Sequence, residues 1–156
     1  FGAAVHAPWA LVVGARMRER FGADVQAMHT DDGLVFRLLD TEGDDDTLTA
    51  ALLEAIVLDP DEITARVTDE VGGSALFASR FRECAARALL LPRRRPDRRQ
   101  PLWQQRLRAA QLLEVARKYP EFPMILETVR ECLRDVYDLP ALKRVLSGIE
   151  QRTVRS

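Results

Sequence analysis

Cysteines, lysines and long apolar runs are all scarce in this sequence of 156 residues. The only two cysteines, Cys84 and Cys132, lie far apart with no cysteine or histidine beside them, which argues against a disulfide framework and against a zinc knuckle. No window holds the roughly 18 continuous apolar residues of a membrane span, and no signal-peptide pattern is present. These absences predict a reduced cytoplasmic protein with buried thiols and no membrane partner.

The motifs of several enzyme classes are missing as well. The sequence contains no GxxxxGKS or GxxxxGKT phosphate loop and no aspartate–glutamate–alanine–aspartate or –histidine box, so we expect no ATP hydrolysis by this segment. Ser74 and Ser79 have no evident paired base, and His6 and His29 do not occur in a zinc-ligand spacing. We therefore predict no catalytic residues, no metal ligands and no cofactor within the chain.

The hydrophobic pattern predicts an α+β fold that is predominantly helical. Residues 24–29 and 33–39 alternate between apolar and polar side chains around an Asp-Asp-Gly turn, which indicates a β-hairpin, while most other apolar residues recur at helical spacing. We expect a first helix that starts at Pro8, a central helix from Ser74 to about Leu91, and a small antiparallel sheet formed by the hairpin and the chain ends and truncated at both ends.

One domain is expected over residues 1–156. A helix and hairpin occupy residues 1–40, and an acidic loop with helices occupies residues 41–73. The second segment contains ten acidic residues and one arginine, which favours a solvated surface over a metal site. A helical array occupies residues 74–150 and ends in three successive helices. It is interrupted by an arginine-rich turn at residues 92–101.

The strongest local signal for a ligand lies in and after that turn. Seven arginines and one acid, Asp97, occur between Arg93 and Arg108, although the net charge of the chain is −1. Arginine forks suit phosphates and a tryptophan offers a face for a base, whereas the alternative is a solvated connector beside a buried Trp103. The candidate nucleic-acid-binding residues of this segment are Arg93, Arg94, Arg95, Arg98, Arg99, Trp103 and Arg106.

A second group of candidates lies near the start of the chain. Trp9 follows Pro8, with His6 before it and Arg16 two turns after it. In one interpretation Trp9 stacks on a nucleotide base with the help of His6 and Arg16. In the other, Trp9 is an aromatic clamp that packs at the start of a helix.

Long strings in this sequence resemble one helicase family. They are FGAAVHAPWA, DDGLVFRL, ALFASRFRECAARALLLPRRRPDRRQPLWQQRLRAAQLL and YPEFPMILETVRECLRDVYDLPALKRVL, which together cover nearly the whole chain. In this order they resemble the DEAD/H associated region of the Lhr (large helicase-related) superfamily 2 helicases. The resemblance implies a domain that follows two RecA-like motor domains and a winged helix. It also implies that ATP and Mg are bound elsewhere in the full-length helicase.

The resemblance leaves two hypotheses for this segment. The first is an accessory domain that contacts single-stranded DNA, or an RNA–DNA hybrid, while the motor domains translocate and unwind in DNA repair in the bacterial cytosol or nucleoid. The second is a docking domain that braces the motor and winged-helix domains without touching DNA. The first predicts binding that weakens with salt, and the second predicts no binding.

Overall fold

The computed structural model describes residues 1–21, 25–38, 45–91 and 101–152. Its fold is α+β and predominantly helical, with one two-stranded antiparallel sheet in the described residues, as predicted. The elements in chain order are α1 (Ala3–Phe21), β1 (Val25–His29), β2 (Leu34–Leu38), α2 (Asp45–Ile56), α3 (Ile63–Val71), α4 (Ala75–Arg87), α5 (Leu102–Ala116), α6 (Pro123–Glu131), a π-helical segment (Cys132–Val136) and α7 (Leu139–Glu150).

The chain divides into two compact units. Unit 1 consists of residues 1–70 and 136–156, and in it α1 packs against the hairpin, α2 and α7. Unit 2 consists of residues 71–135, and in it α4 packs against α5 and α6. The expected array of three successive helices is therefore corrected, because α7 belongs to unit 1 and packs on the first helix of the chain. The predicted division of the chain into residues 1–40, 41–73 and 74–150 stays a prediction.

Helix α1 begins five residues before the proline that was expected to start it. Ala3–Phe21 is continuous with Pro8 inside it, so the expected strand at the chain start is wrong. A proline within a helix has no N–H to donate to the carbonyl four residues earlier, which here belongs to Ala4. That carbonyl accepts a hydrogen bond from the backbone N–H of Asp138 at 2.9 Å. The helix tolerates Pro8 because the segment leading into α7 supplies the missing donor.

The β-hairpin forms where the alternating pattern predicts it. Val25 pairs with Leu38 and Met28 pairs with Val35, and Val25 is buried while both members of the second pair are exposed. Helix α1 approaches β1 closely at Gly14, where an added Cβ would lie 3.4 Å from the Cβ of Ala27. The hairpin therefore packs one face on α1 and leaves the other face open in unit 1.

Helix α4 ends earlier than its apolar pattern predicts, at Arg87 instead of about Leu91. Leu89 has a φ of 60°, and the N–H groups of Leu89 and Leu90 donate to the carbonyls of Ala86 and Ala85. These two hydrogen bonds form a Schellman motif, which is usually closed by glycine because other residues are strained at positive φ. The ending places Leu89 on the surface instead of in the core.

Leu89→Gly is expected to raise the free energy of unfolding by about 0.5–1 kcal/mol. The left-handed conformation costs a non-glycine residue roughly 1–2 kcal/mol, and glycine adopts it without this cost. Part of the gain is offset, because glycine loses more backbone entropy on folding. The measurement is urea unfolding followed by circular dichroism. Leu89→Ala is the matched control, because it removes the same exposed side chain but keeps the strain. Equal midpoints for the two variants would contradict the account.

Both thiols of the protein lie in the core of unit 2. Cys132 is fully buried, and burial raises its pKa to about 11. Burial also raises the pKa of Cys84, whose Sγ accepts a hydrogen bond from Nη2 of Arg87 at 3.2 Å. Since the thiolate is the reactive form, both groups are protected by access and by protonation.

We expect neither cysteine to react with iodoacetamide in the folded protein at pH 8, and both to react in denaturant.

A raised pKa for Cys132 also means that its neutral form stabilises the fold below the unfolded pKa near 9, and that this stability is lost as the pH rises toward 11. Urea midpoints between pH 8 and pH 10.5 measure the effect. The slope is expected to be smaller in Cys132→Ala, and an unchanged slope would count against the burial argument.

Candidate nucleic-acid interface

The first two turns of α5 expose a tryptophan, an arginine and a leucine on one face. Trp103 is 63% exposed and Leu107 is 51% exposed, and Arg106 between them is exposed as well. Their spacing of three and four residues places them side by side on a helix. We call these three residues the outer face of α5. Ala109, Leu113 and Ala116 of the same helix are buried in unit 2.

Arg106 has no acidic partner among the described residues, whereas several other arginines of unit 2 do. Arg87, Arg117 and Arg130 each form an ion pair, with Glu131, Glu114 and Glu127 respectively. Arg106 forms no such pair with any residue in the described ranges. A guanidinium has five N–H donors, and those of Arg106 form no ion pair in the described ranges, next to the exposed indole.

The arginines of the predicted turn precede this face directly. Arg93, Arg94, Arg95, Arg98 and Arg99 lie outside the described residues, so their part in a site stays a prediction.

The candidates on α1 share a different arrangement, since each donates to a backbone carbonyl inside unit 1. Trp9 is 7% exposed, and its Nε1–H donates to the carbonyl of Ile56 at 2.9 Å. Nη1 of Arg16 donates to the carbonyl of Val57 at 3.3 Å. Nδ1 of buried His6 lies 2.8 Å from the carbonyl of Thr30, and since a carbonyl only accepts, this nitrogen carries the proton.

These contacts give α1 a clear role in holding unit 1 together. The last carbonyls of any α-helix lack partners within the helix, and α2 ends at Ile56. Trp9 and Arg16 supply donors to that end from the neighbouring helix, and a cation there also suits the helix dipole. The arrangement favours the packing interpretation of Trp9, and contact of Trp9, His6 or Arg16 with nucleic acid stays a prediction.

A shallow cleft in unit 1 borders the acidic part of the chain. It is lined by two acids and two arginines, Asp59, Glu62, Arg16 and Arg66, whose formal charges cancel. No group of three or more His, Cys, Asp or Glu side chains in the described ranges is arranged to hold a metal ion. The acidic loop was expected over residues 42–46; residues 42–44 lie outside the described ranges, and Asp45 and Asp46 begin α2 instead of lying in a loop.

One residue of the outer face was not among the sequence candidates. Leu107 fits the apolar pattern of α5, and the simplest expectation for a leucine in a helix is burial. The sequence does contain a signal for its exposure, because Leu107 falls well away from the stripe of Ala109, Leu113 and Ala116 at 3.6 residues per turn. An α-helix that packs on one side only leaves such a second stripe in solvent.

Fold and surface together define a small, predominantly helical α+β domain with a cationic and aromatic face on one helix. No helix in the described ranges is long and apolar enough to cross a membrane. The chain belongs to the DEAD/H associated family, whose model matches residues 1–156. The resemblance drawn from the sequence is thereby confirmed.

The relatives that match this chain are Lhr helicases. The Lhr helicase/probable uracil glycosylase of Mycolicibacterium smegmatis is 60% identical over 155 residues, which cover 99% of this chain and 10% of the relative. The Lhr helicase/uracil glycosylase of Escherichia coli is 54% identical over 146 residues, which cover 94% of this chain and 9% of the relative. The chain thus spans about a tenth of the length of these curated relatives.

A solved structure of a similar protein has the same fold. The structure of Mycobacterium smegmatis helicase Lhr bound to ssDNA and AMP-PNP superposes with a TM-score of 0.81 at 56% identity. The match covers 97% of this chain and 18% of that one. At this identity the similarity extends to sequence as well as fold.

Proposed function

We propose that this chain is an accessory domain of an ATP-dependent Lhr-type DNA helicase, and that it contacts single-stranded nucleic acid during translocation and unwinding. The observation that carries the proposal is the exposed pair of Trp103 and Arg106, which directly follows a segment with five more arginines and one acid. The single-stranded DNA in the structure of the M. smegmatis helicase supports the choice of ligand.

In this proposal the arginines hold phosphates and the rest of the helicase supplies the energy. ATP and its Mg belong to the RecA-like motor domains, since the chain has no phosphate loop. The partners are single-stranded DNA or an RNA–DNA hybrid, together with the motor and winged-helix domains, and the site of action is the bacterial cytosol or nucleoid in DNA repair. A net charge of −1 makes strong binding by this domain alone unfavourable, so its contacts add to those of the motor through effective concentration.

Fluorescence anisotropy with labelled single-stranded DNA at low and moderate salt tests the proposal. Weak binding is expected, and replacing Arg93, Arg94, Arg95, Arg98 and Arg99 by alanine is expected to reduce the affinity and the salt dependence. Each lost phosphate contact lowers the log–log slope by about 0.7 on single strands.

A variant with the same change of charge elsewhere is the control for this experiment. Five exposed arginines outside the segment serve this purpose, namely Arg37, Arg66, Arg134, Arg144 and Arg152. If this variant loses as much affinity as the first, the effect is one of net charge and the arginine segment has no special role. No binding by the unmodified chain at low salt would contradict the proposal.

A bracing role is the second candidate, and the apolar surface of unit 2 favours it. Six large apolar side chains of unit 2 outside the outer face are about half exposed or more, namely Leu89, Leu90, Leu102, Val115, Tyr119 and Leu126. Such side chains are typical of surfaces that contact another protein or domain. A domain that only braces its neighbours binds no DNA, so the same titration separates the two functions.

A further inference from the structure

We propose that the outer face of α5 is a platform for one unpaired nucleobase, with Trp103 as its stacking surface, Leu107 as its apolar extension and Arg106 as its contact to the flanking phosphate. This inference rests on the proposed function and makes it more specific. It assigns recognition of single strands to one helix face, separate from the charge of the arginine segment. It also assigns a binding role to Leu107.

The indole of Trp103 is placed where a flat ligand can reach it. It is 63% exposed, and Leu107 is 51% exposed. Leu107 is one turn further along, and residues four apart on a helix have Cβ atoms about 5–6 Å apart. The two exposed apolar side chains are therefore neighbours on the helix surface.

Charge decides what kind of ligand fits this surface. An apolar patch alone suits a protein partner, but Arg106 lies in the patch with no ion pair among the described residues. In the sequence, five more arginines and the single acid Asp97 come directly before this helix. A polyanion with aromatic rings complements an apolar face that carries an arginine, and single-stranded nucleic acid is such a ligand.

The same geometry disfavours duplex DNA as the ligand of this face. Base faces are covered by their stacked neighbours within a duplex, and only unpaired bases offer a free face to a side chain. Trp103 on a rigid helix therefore selects single strands, and stacking is tolerant of sequence. Phosphate contacts depend on salt and stacking contacts do not, which makes the two contributions separable.

The test removes the stacking side chain from the protein and the bases from the ligand, separately and together. Binding of a labelled single-stranded oligonucleotide, and of the same oligonucleotide with abasic sites throughout, is measured for the unmodified chain and for Trp103→Ala. We expect Trp103→Ala to weaken binding of the normal oligonucleotide by roughly five- to one-hundredfold with an unchanged salt slope. The abasic oligonucleotide is expected to bind both proteins equally, and Trp103→Phe is expected to retain most of the affinity.

Tyr119 provides the matched control, since it is an aromatic residue of unit 2 with the same exposed fraction of 63%. Tyr119→Ala is expected to leave binding within twofold, and Leu107→Ala is expected to weaken it by two- to fivefold. Salt-dependent binding that Trp103→Ala does not change would overturn the platform and leave the proposed function intact. Equal losses in Trp103→Ala and Tyr119→Ala would overturn it too, whereas no binding by the unmodified chain would defeat the proposed function itself.

Discussion

Trp9→Ala is expected to lower the free energy of unfolding by about 3–5 kcal/mol, the usual cost of removing a buried large aromatic side chain. Trp9 is only 7% exposed, and its Nε1–H satisfies the carbonyl of Ile56 near the end of α2. The variant loses this packing and leaves that carbonyl without its donor, which adds a desolvation cost. Urea unfolding monitored by circular dichroism measures the change.

Trp9→Phe separates the two parts of this loss. Phenylalanine keeps most of the apolar volume but has no N–H, so a smaller loss of about 1–3 kcal/mol is expected. A loss below 1 kcal/mol in Trp9→Ala would contradict the packing role. The affinity of the folded variants for single-stranded DNA tests the stacking hypothesis for Trp9, and an affinity within twofold of the unmodified chain counts against it.

Phe81→Ala is expected to destabilise unit 2 by a similar amount, about 3–5 kcal/mol. Phe81 has no exposed surface and stacks on Phe77, with ring centroids 6.5 Å apart and ring planes 19° apart. Both rings lie on α4, the helix that packs against α5 and α6. Removing the ring therefore leaves a cavity in the core of unit 2, which the neighbouring helices fill only in part.

Two variants complete this experiment. Phe81→Leu refills much of the cavity and is expected to cost less than half as much as the alanine variant. Leu126→Ala removes a side chain of α6 that is 55% exposed, and it is expected to change the free energy of unfolding by less than about 0.5 kcal/mol. If Phe81→Ala and Leu126→Ala have equal effects, the core of unit 2 is not where the structure places it.

Folding and binding residues are thus separate in this protein. Trp9 and Phe81 are buried and are expected to change stability, whereas Trp103 is exposed and is expected to change affinity. A loss of DNA binding is therefore informative only for variants that unfold at the same urea concentration as the unmodified chain. The two tryptophans of the sequence illustrate the difference, since residue type alone made both of them candidates for base stacking.

Local features were predictable because they depend on neighbouring residues. Ser74 and Asp138 are residue types that favour helix starts, and they cap α4 and α7 with side-chain oxygens that accept from the N–H groups of Phe77 and Ala141. The hairpin follows from alternation around a turn, and Phe77, Phe81 and Cys84 are buried where the helical spacing places them. Family membership was equally accessible, because it depends on the order of long strings.

Tertiary structure alone decided where distant parts of the chain meet. No local pattern predicts that Asp138 donates to the carbonyl freed by Pro8, or that Trp9 donates to a carbonyl 47 residues later. The early end of α4 is likewise invisible in its apolar pattern, because the pattern continues through Leu89 while the backbone turns left-handed there. The sequence by itself determined the helices, the hairpin and the charge of the arginine segment, since propensity, alternation and charge are local. The choice between a buried and an exposed tryptophan depends on which surfaces pack together, and only the folded chain sets that.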